Sequence, residues 1–178
     1  GGPLSVKIRL GWSDPDEFKQ FIPVLEEAGV DLITMHGRTK AQGYSGISDW
    51  ERIGQAKQIA RVPFIANGDI HEPAQVKSVL DQTLCDGVLI ARGALGNPWF
   101  FKQALDSGFA VTLEERIKVL LDHAELHIAQ YGERGIMTFR KHISWYFKSN
   151  RLGVEIPGIK DWRAKLVRVE SLETLRAL

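Results

Sequence analysis

Four short apolar runs recur along the first 111 residues, and they constrain the fold more than any other feature of the chain. They are LSVKIRL (Leu4–Leu10), VDLITMHG (Val30–Gly37), VPFIANGD (Val62–Asp69) and CDGVLIARG (Cys85–Gly93). Runs so short and so rich in Val, Ile and Leu suit strands buried on both faces. Helical patterns lie between them: Asp16–Ala28, with Phe18, Phe21, Ile22 and Leu25 on one face, then Asp49–Ala60 and Glu72–Leu80. Pro15 and Pro73 stand at first turns, and Asp14 and Asp49 at cap positions. Strand and helix therefore alternate at roughly 25–30 residues per unit, the pattern of βαβ units and a parallel sheet. Four units do not close a barrel, which takes eight and typically ~250 residues. The front reads as half of a (β/α)8 barrel. A small open doubly wound sheet is the alternative, weakened because no Gly-rich fingerprint follows the first run.

Each run ends in polar chemistry. Lys7 and Arg9 lie on the first, His36-Gly37-Arg38 closes the second, Asn67-Gly68-Asp69 the third and Ala91-Arg92-Gly93 the fourth. In a parallel α/β sheet these ends share one edge, and ligands bind there. The fourth run, GVLIARGALGNPW, meets an arginine between small residues with a helix start close behind. Small Ala91 and Gly93 admit a phosphate to the backbone, Arg92 can clamp it, and a helix N-terminus favours it. An ordinary glycine turn with a surface arginine is the plainer reading, and the register of four polar ends favours the phosphate. Lys7 reads either as a charge beside the N1/O2 edge of a flavin or as an edge lysine. His36 reads either as a ring donor to a cofactor or as a core histidine.

After Gly108 the pattern turns helical. Thr112-Leu-Glu-Glu115 is a capping-box start, and Ile117, Leu120, Leu121, Ala124 and Ile128 follow at helical spacing to about Tyr131. A second helix is expected over Ile136–Asn150. Gly153 and Pro157-Gly158 separate it from a third over Trp162–Leu175. The expected domains are thus 1–108, a half-barrel, and 109–178, an all-α bundle. The segment FRKHISWYFKSNR (Phe139–Arg151) mixes Arg140, Lys141, His142, Lys148 and Arg151 with Trp145, Tyr146 and Phe147. Cations among stacking rings suit RNA, while an amphipathic helix with an aromatic core stripe gives the same pattern.

Charge is nearly balanced at +1 over 178 residues, but Tyr131–Arg168 holds 9 basic against 3 acidic residues, a local excess suited to a polyanion. The single cysteine, Cys85, excludes an internal disulfide and reads as a buried small hydrophobe, consistent with a reducing cytoplasm. No apolar run approaches the ~18–20 residues of a membrane span. His123 and His127 have metal-ligand spacing, but HAELH is not the HExxH order and no third ligand is evident, so no metal is expected. The opening Gly-Gly-Pro, without an initiating Met, reads as a cut through a longer protein.

Taken in order, VKIRLGW, DLITMHGRT with YSG and DW, VPFIANGDI, CDGVLIARGALGNPWFF and RKHISWY resemble the tRNA-dihydrouridine synthases, from about Val6 to Arg168. That resemblance implies an FMN-dependent TIM (β/α)8 barrel, of which these motifs form the second half, followed by an all-α helical RNA-binding domain. It implies that Lys7 and His36 meet the flavin ring, and that Asn67, Gly68, Asp69, Ala91, Arg92 and Gly93 hold the ribityl phosphate. Arg9 is expected toward the RNA, Arg38 toward the target nucleotide, and Arg140, Lys141 and His142 on tRNA. The implied reaction takes hydride from NADPH through FMN to C6 of an unstacked uridine, while a cysteine protonates C5. That cysteine belongs to the barrel's first half, so a chain holding only these motifs is not expected to turn over alone. Open strand edges allow self-association with a second copy. Two rivals remain: a small-molecule FMN oxidoreductase of the same fold, and a non-catalytic RNA-binding module.

Overall fold

The computed structural model describes residues 1–148 and 157–178; Arg151, Gly153 and the expected helix end at Asn150 lie outside them. The chain divides into two compact units, Gly1–Gly93 and Ala94–Leu178.

The first unit carries β1 (Ser5–Arg9), α1 (Phe18–Glu27), β2 (Leu32–His36), α2 (Trp50–Ile59), β3 (Phe64–Asn67), α3 (Gln75–Thr83) and β4 (Gly87–Leu89). All strands are parallel, in the order β1-β2-β3-β4. A doubly wound sheet reverses its order at a switch point, and this one does not. Because βαβ crossovers are right-handed, an unreversed order sends every helix to the same face, as in a barrel wall. That face holds the core: Ile33, Met35, Phe64 and Ala66 of the strands and Phe18, Ile22, Ile53 and Val79 of the helices are all 0% exposed.

Local chemistry sets the helix ends. Asp49 caps α2, its carboxylate accepting the Arg52 N–H. Around α1, Asp14 is not a helix cap: the chain makes a turn first and the helix starts at Phe18. The Glu17 carboxylate there accepts the N–H groups of Trp12, Ser13 and Asp14. Similarly, Gln75 Oε1 accepts from His71 and Glu72, and α3 starts after Pro73.

The second unit holds α4 (Phe100–Leu105), α5 (Leu113–Tyr131), α6 (Gly135–Tyr146), α7 (Ile159–Leu166) and α8 (Leu172–Arg176). Its core gathers Leu120, Ala124, Ile136, Phe139, Ile143, Tyr146, Leu166 and Leu175, with Trp99 packed against it. The division falls ahead of residue 108 because the segment from Ala94 joins the helices. The buried Arg116 donates to the Gly96 carbonyl, and the Trp99 indole donates to Glu115. Thr112 caps α5 by accepting the Glu115 N–H. The single third helix expected over Trp162–Leu175 is two helices. Ser171 stops the run by capping α8, its hydroxyl accepting the Thr174 N–H.

Candidate functional site

The parallel register brings the polar strand ends into rows. Arg9 pairs with His36, His36 with Asn67 and Asn67 with Leu89, so these four residues share one face at the C-terminal edge. Lys7 lies two residues back on the same face. Around them is a pocket of about 150 Å³, lined by Lys7, Arg9, His36, Asn67, Gly68, Asp69, Ala91 and Arg92, with Tyr44, Ile70, His71 and Leu89. The structure thus brings together all but one of the sequence-derived cofactor residues. Gly93 is buried in the one-turn 3₁₀ segment Arg92–Ala94. The chain leaves β4 through that turn rather than through an α-helix N-terminus.

Charge in this pocket is mostly positive. Arg9 donates to the carbonyls of Thr39 and Gly43 (2.7 and 2.9 Å), and Arg92 packs over the Tyr44 ring at 4.8 Å. Burial, then the neighbouring Arg9, push the Lys7 ammonium below its usual range. Burial, followed by Arg9, Lys7 and Arg38, lowers His36 from 6.5 to about 4, so its ring is neutral at pH 7. His36 Nδ1 is buried with no hydrogen-bond partner among the described residues.

Asp69 is the counter-ion. Its carboxylate takes a two-pronged grip from Arg38 (3.0 and 2.6 Å), the Ser48 N–H (2.8 Å) and Arg92 (3.2 Å). Burial alone drives its pKa up, but Arg38 and the Ser48 amide outweigh it and hold the group below the usual range. These contacts also fix Asp69 at φ 55°, a left-handed conformation uncommon outside glycine.

Two of the expected site residues are engaged within the protein. Arg38 is 2% exposed, and its guanidinium donates to Asp69 and the carbonyls of Ser45 and Gly46. Asn67 directs its amide to the Leu89 carbonyl (2.8 Å), tying β3 to β4. Tyr44 is a pocket residue that sequence reasoning passed over; the YSG motif contained it, but no periodicity marks a loop tyrosine. A larger hollow of about 770 Å³ includes Leu10, Ser13, Thr39, Ser48, Asp49 and Arg52. None of the strand-end residues of the smaller pocket lines it, and Asp49 and Arg52 there pair with each other at 2.7 Å.

In the helical unit the basic-aromatic segment divides between core and surface. Phe139, Ile143, Tyr146 and Phe147 are buried, whereas Lys141 and Lys148 are exposed. Arg140 is turned inward, donating to the carbonyls of Val169 (2.8 Å) and Arg168 (3.3 Å). His142 lies among Phe139, Trp145 and His123, and burial first, then His123, Lys141 and His127, bring it down to about 4. His123 and His127 use ring nitrogens on Tyr146 and Thr138, and no metal-holding group of His, Cys, Asp or Glu occurs among the described residues. Cys85 is 8% exposed ahead of β4, and burial pushes its thiol up. No helix among the described residues is long and apolar enough to cross a membrane.

A family model described as dihydrouridine synthase matches residues 1–177. The chain is 36% identical to a probable tRNA-dihydrouridine synthase 1 of Synechocystis sp., an alignment covering 96% of this chain and 48% of that protein. It is also 36% identical to tRNA-dihydrouridine synthase B of Pseudomonas aeruginosa, over 96% of this chain and 52% of the relative. A probable tRNA-dihydrouridine synthase of Aquifex aeolicus is 34% identical, over 98% and 54% respectively. The chain therefore spans about half the length of the curated relatives it matches. On the match of nearly its whole length, this chain belongs to the dihydrouridine synthase family.

Proposed function

We propose that the protein carrying this chain reduces uridine to 5,6-dihydrouridine in tRNA, in the cytoplasm, with FMN at the strand ends of Gly1–Gly93 and NADPH as reductant. One observation carries the reading. Lys7, Arg9 and Arg92 converge on a small pocket at the C-terminal edge of a parallel sheet, where Asp69 is the carboxylate lining it. Such a site suits an anion joined to an electron-poor ring system.

The residues present fit FMN. Arg92, next to small Ala91, is placed to meet a phosphate together with the backbone of Asn67–Asp69 and Arg92–Gly93. Asp69 serves indirectly, its carboxylate fixing the orientation of Arg38 and Arg92. Lys7 sets a positive charge beside the ring, and neutral His36 offers a hydrogen bond without adding charge. The chemistry FMN supplies when bound is two-electron reduction of the uracil C5–C6 bond, renewed by NADPH. Arg9, braced by Thr39 and Gly43, is held at the pocket wall toward the incoming base. Cys85 is not the proton donor: it is buried at the start of β4, away from the edge where the others gather. Lys141 and Lys148 offer their charges to the tRNA backbone.

Incubating the complete protein with NADPH and unmodified tRNA tests this. NADPH consumption matched one for one by dihydrouridine is the expected result; flavin-loaded protein that leaves tRNA unreduced contradicts it.

A further inference from the structure

Trp12 is 69% exposed, an unusual place for the largest apolar side chain. Its loop is not loose. The Trp12 N–H donates to Glu17, its carbonyl accepts the Ala41 N–H at 2.8 Å, and the Gly11 carbonyl accepts the Lys40 N–H at 2.8 Å. Gly11 is required for so tight a turn, since a Cβ there would stand 2.2 Å from the Asp14 carbonyl oxygen. The β1–α1 loop is thereby laced to the β2–α2 loop, and the indole is presented on a stiff support.

A cation accompanies it. Lys40 Nζ lies 5.8 Å from the Trp12 ring centroid, within reach of the ring's negative face. The acids of this loop are engaged elsewhere: Glu17 on three backbone amides, Asp14 on the Asp16 N–H, and Asp16 on Lys19 and Arg52. On its other side, the segment that bears Lys40 receives Arg9 at the Thr39 and Gly43 carbonyls and leads into Tyr44, which lines the strand-end pocket. The Trp12–Lys40 pair is thus one short segment from the proposed reaction centre.

From this placement we infer that Trp12 and Lys40 form a stacking-and-phosphate subsite for an unpaired RNA nucleotide flanking the one that reacts. The inference rests on the tRNA reading above. A flat exposed ring beside an ammonium matches a base face beside a phosphate, and only unpaired nucleotides offer that face. A rigid platform loses little freedom on binding, so its stacking energy is retained as affinity.

The test uses the flavin-loaded complete protein with Trp12→Ala, Trp12→Phe and Lys40→Ala, each checked for wild-type flavin content and circular dichroism. Steady-state reduction of unmodified tRNA is then measured. Trp12→Ala is expected to raise KM for tRNA about tenfold with kcat within about twofold, and Trp12→Phe to restore most of the loss. Lys40→Ala is expected to raise KM less and to flatten its salt dependence. An unchanged KM in Trp12→Ala, or a fall in kcat with KM held, overturns the subsite. So does a change of oligomeric mass in Trp12→Ala with KM unaltered, which makes the indole a contact between copies. Wild-type protein inert toward tRNA contradicts instead the function on which the subsite rests.

Discussion

The Arg38–Asp69 pair ties the loop after β2 to the end of β3. Arg38 is almost fully buried, so its charge depends on the carboxylate that meets it. Asp69→Ala is expected to cost roughly 3–5 kcal/mol in urea unfolding, because it strands a buried guanidinium. Lys77→Ala, which breaks the exposed Lys77–Asp81 pair, should cost under about 0.5 kcal/mol in the same assay. His36 adds a pH dependence. Its pKa drops from 6.5 unfolded to about 4 folded, so the unfolded chain binds more protons between those values. The stability this contributes is complete above pH 6.5 and lost as pH falls toward 4. Unfolding of the first unit, followed at pH 7 and pH 5, should show a larger drop for wild type than for His36→Asn. Equal drops would mean the ring is not held neutral by its surroundings. Both residues were legible as polar strand ends, but their orientation was not. A sequence shows that an arginine follows a strand; it does not show that Asp69 turns it inward.

At the scale of elements, all four strands lie within the apolar runs, because short Val/Ile/Leu-rich runs bounded by polar turn residues leave few alternatives. The misses concern where helices begin and stop. Glu17 and Gln75 terminate turns from positions inside what reads as helix, and Ser171 breaks one apolar stripe into α7 and α8. Such caps depend on one hydroxyl or carboxylate, a weaker signal than periodicity. Gly96 carries a further local constraint. It sits at φ +71°, and a Cβ there would lie 2.2 Å from the Trp145 carbonyl carbon, against backbone that cannot move aside. Gly96→Ala is expected to unfold or loosen the helical unit, seen as lost amide-exchange protection in α5 and α6, while β1–β4 keep theirs. Intact protection in α5 and α6 would show that α6 can shift to accept the methyl group.

For the whole molecule, an unreversed strand order and one helix-bearing face suit a barrel wall better than an open doubly wound sheet. Among the described residues β1 and β4 each have a strand neighbour on one side only, which leaves two edges for further strands or a second copy. The family was legible because its motifs follow the strand ends in order. Which cations of the basic-aromatic segment stay exposed was less so, since hydrophobic packing within the helical unit decides it. Arg140 is consumed by the carbonyls of Arg168 and Val169, while Lys141 and Lys148 remain exposed. Each Lys→Ala change at these two positions should weaken tRNA binding across sequences and lower the salt slope by about 1 in filter-binding titrations. No change in slope would place the tRNA elsewhere.

A phosphate grip by Arg92 at the end of β4 is tested by titrating the flavin-free complete protein with FMN and with riboflavin, in wild type and in Arg92→Ala. Wild type should bind FMN at least about a hundredfold more tightly than riboflavin, and Arg92→Ala should shrink that ratio by about tenfold or more while leaving the riboflavin Kd nearly unchanged. A wild type that does not distinguish the two flavins, or an unaltered ratio in Arg92→Ala, would contradict the account.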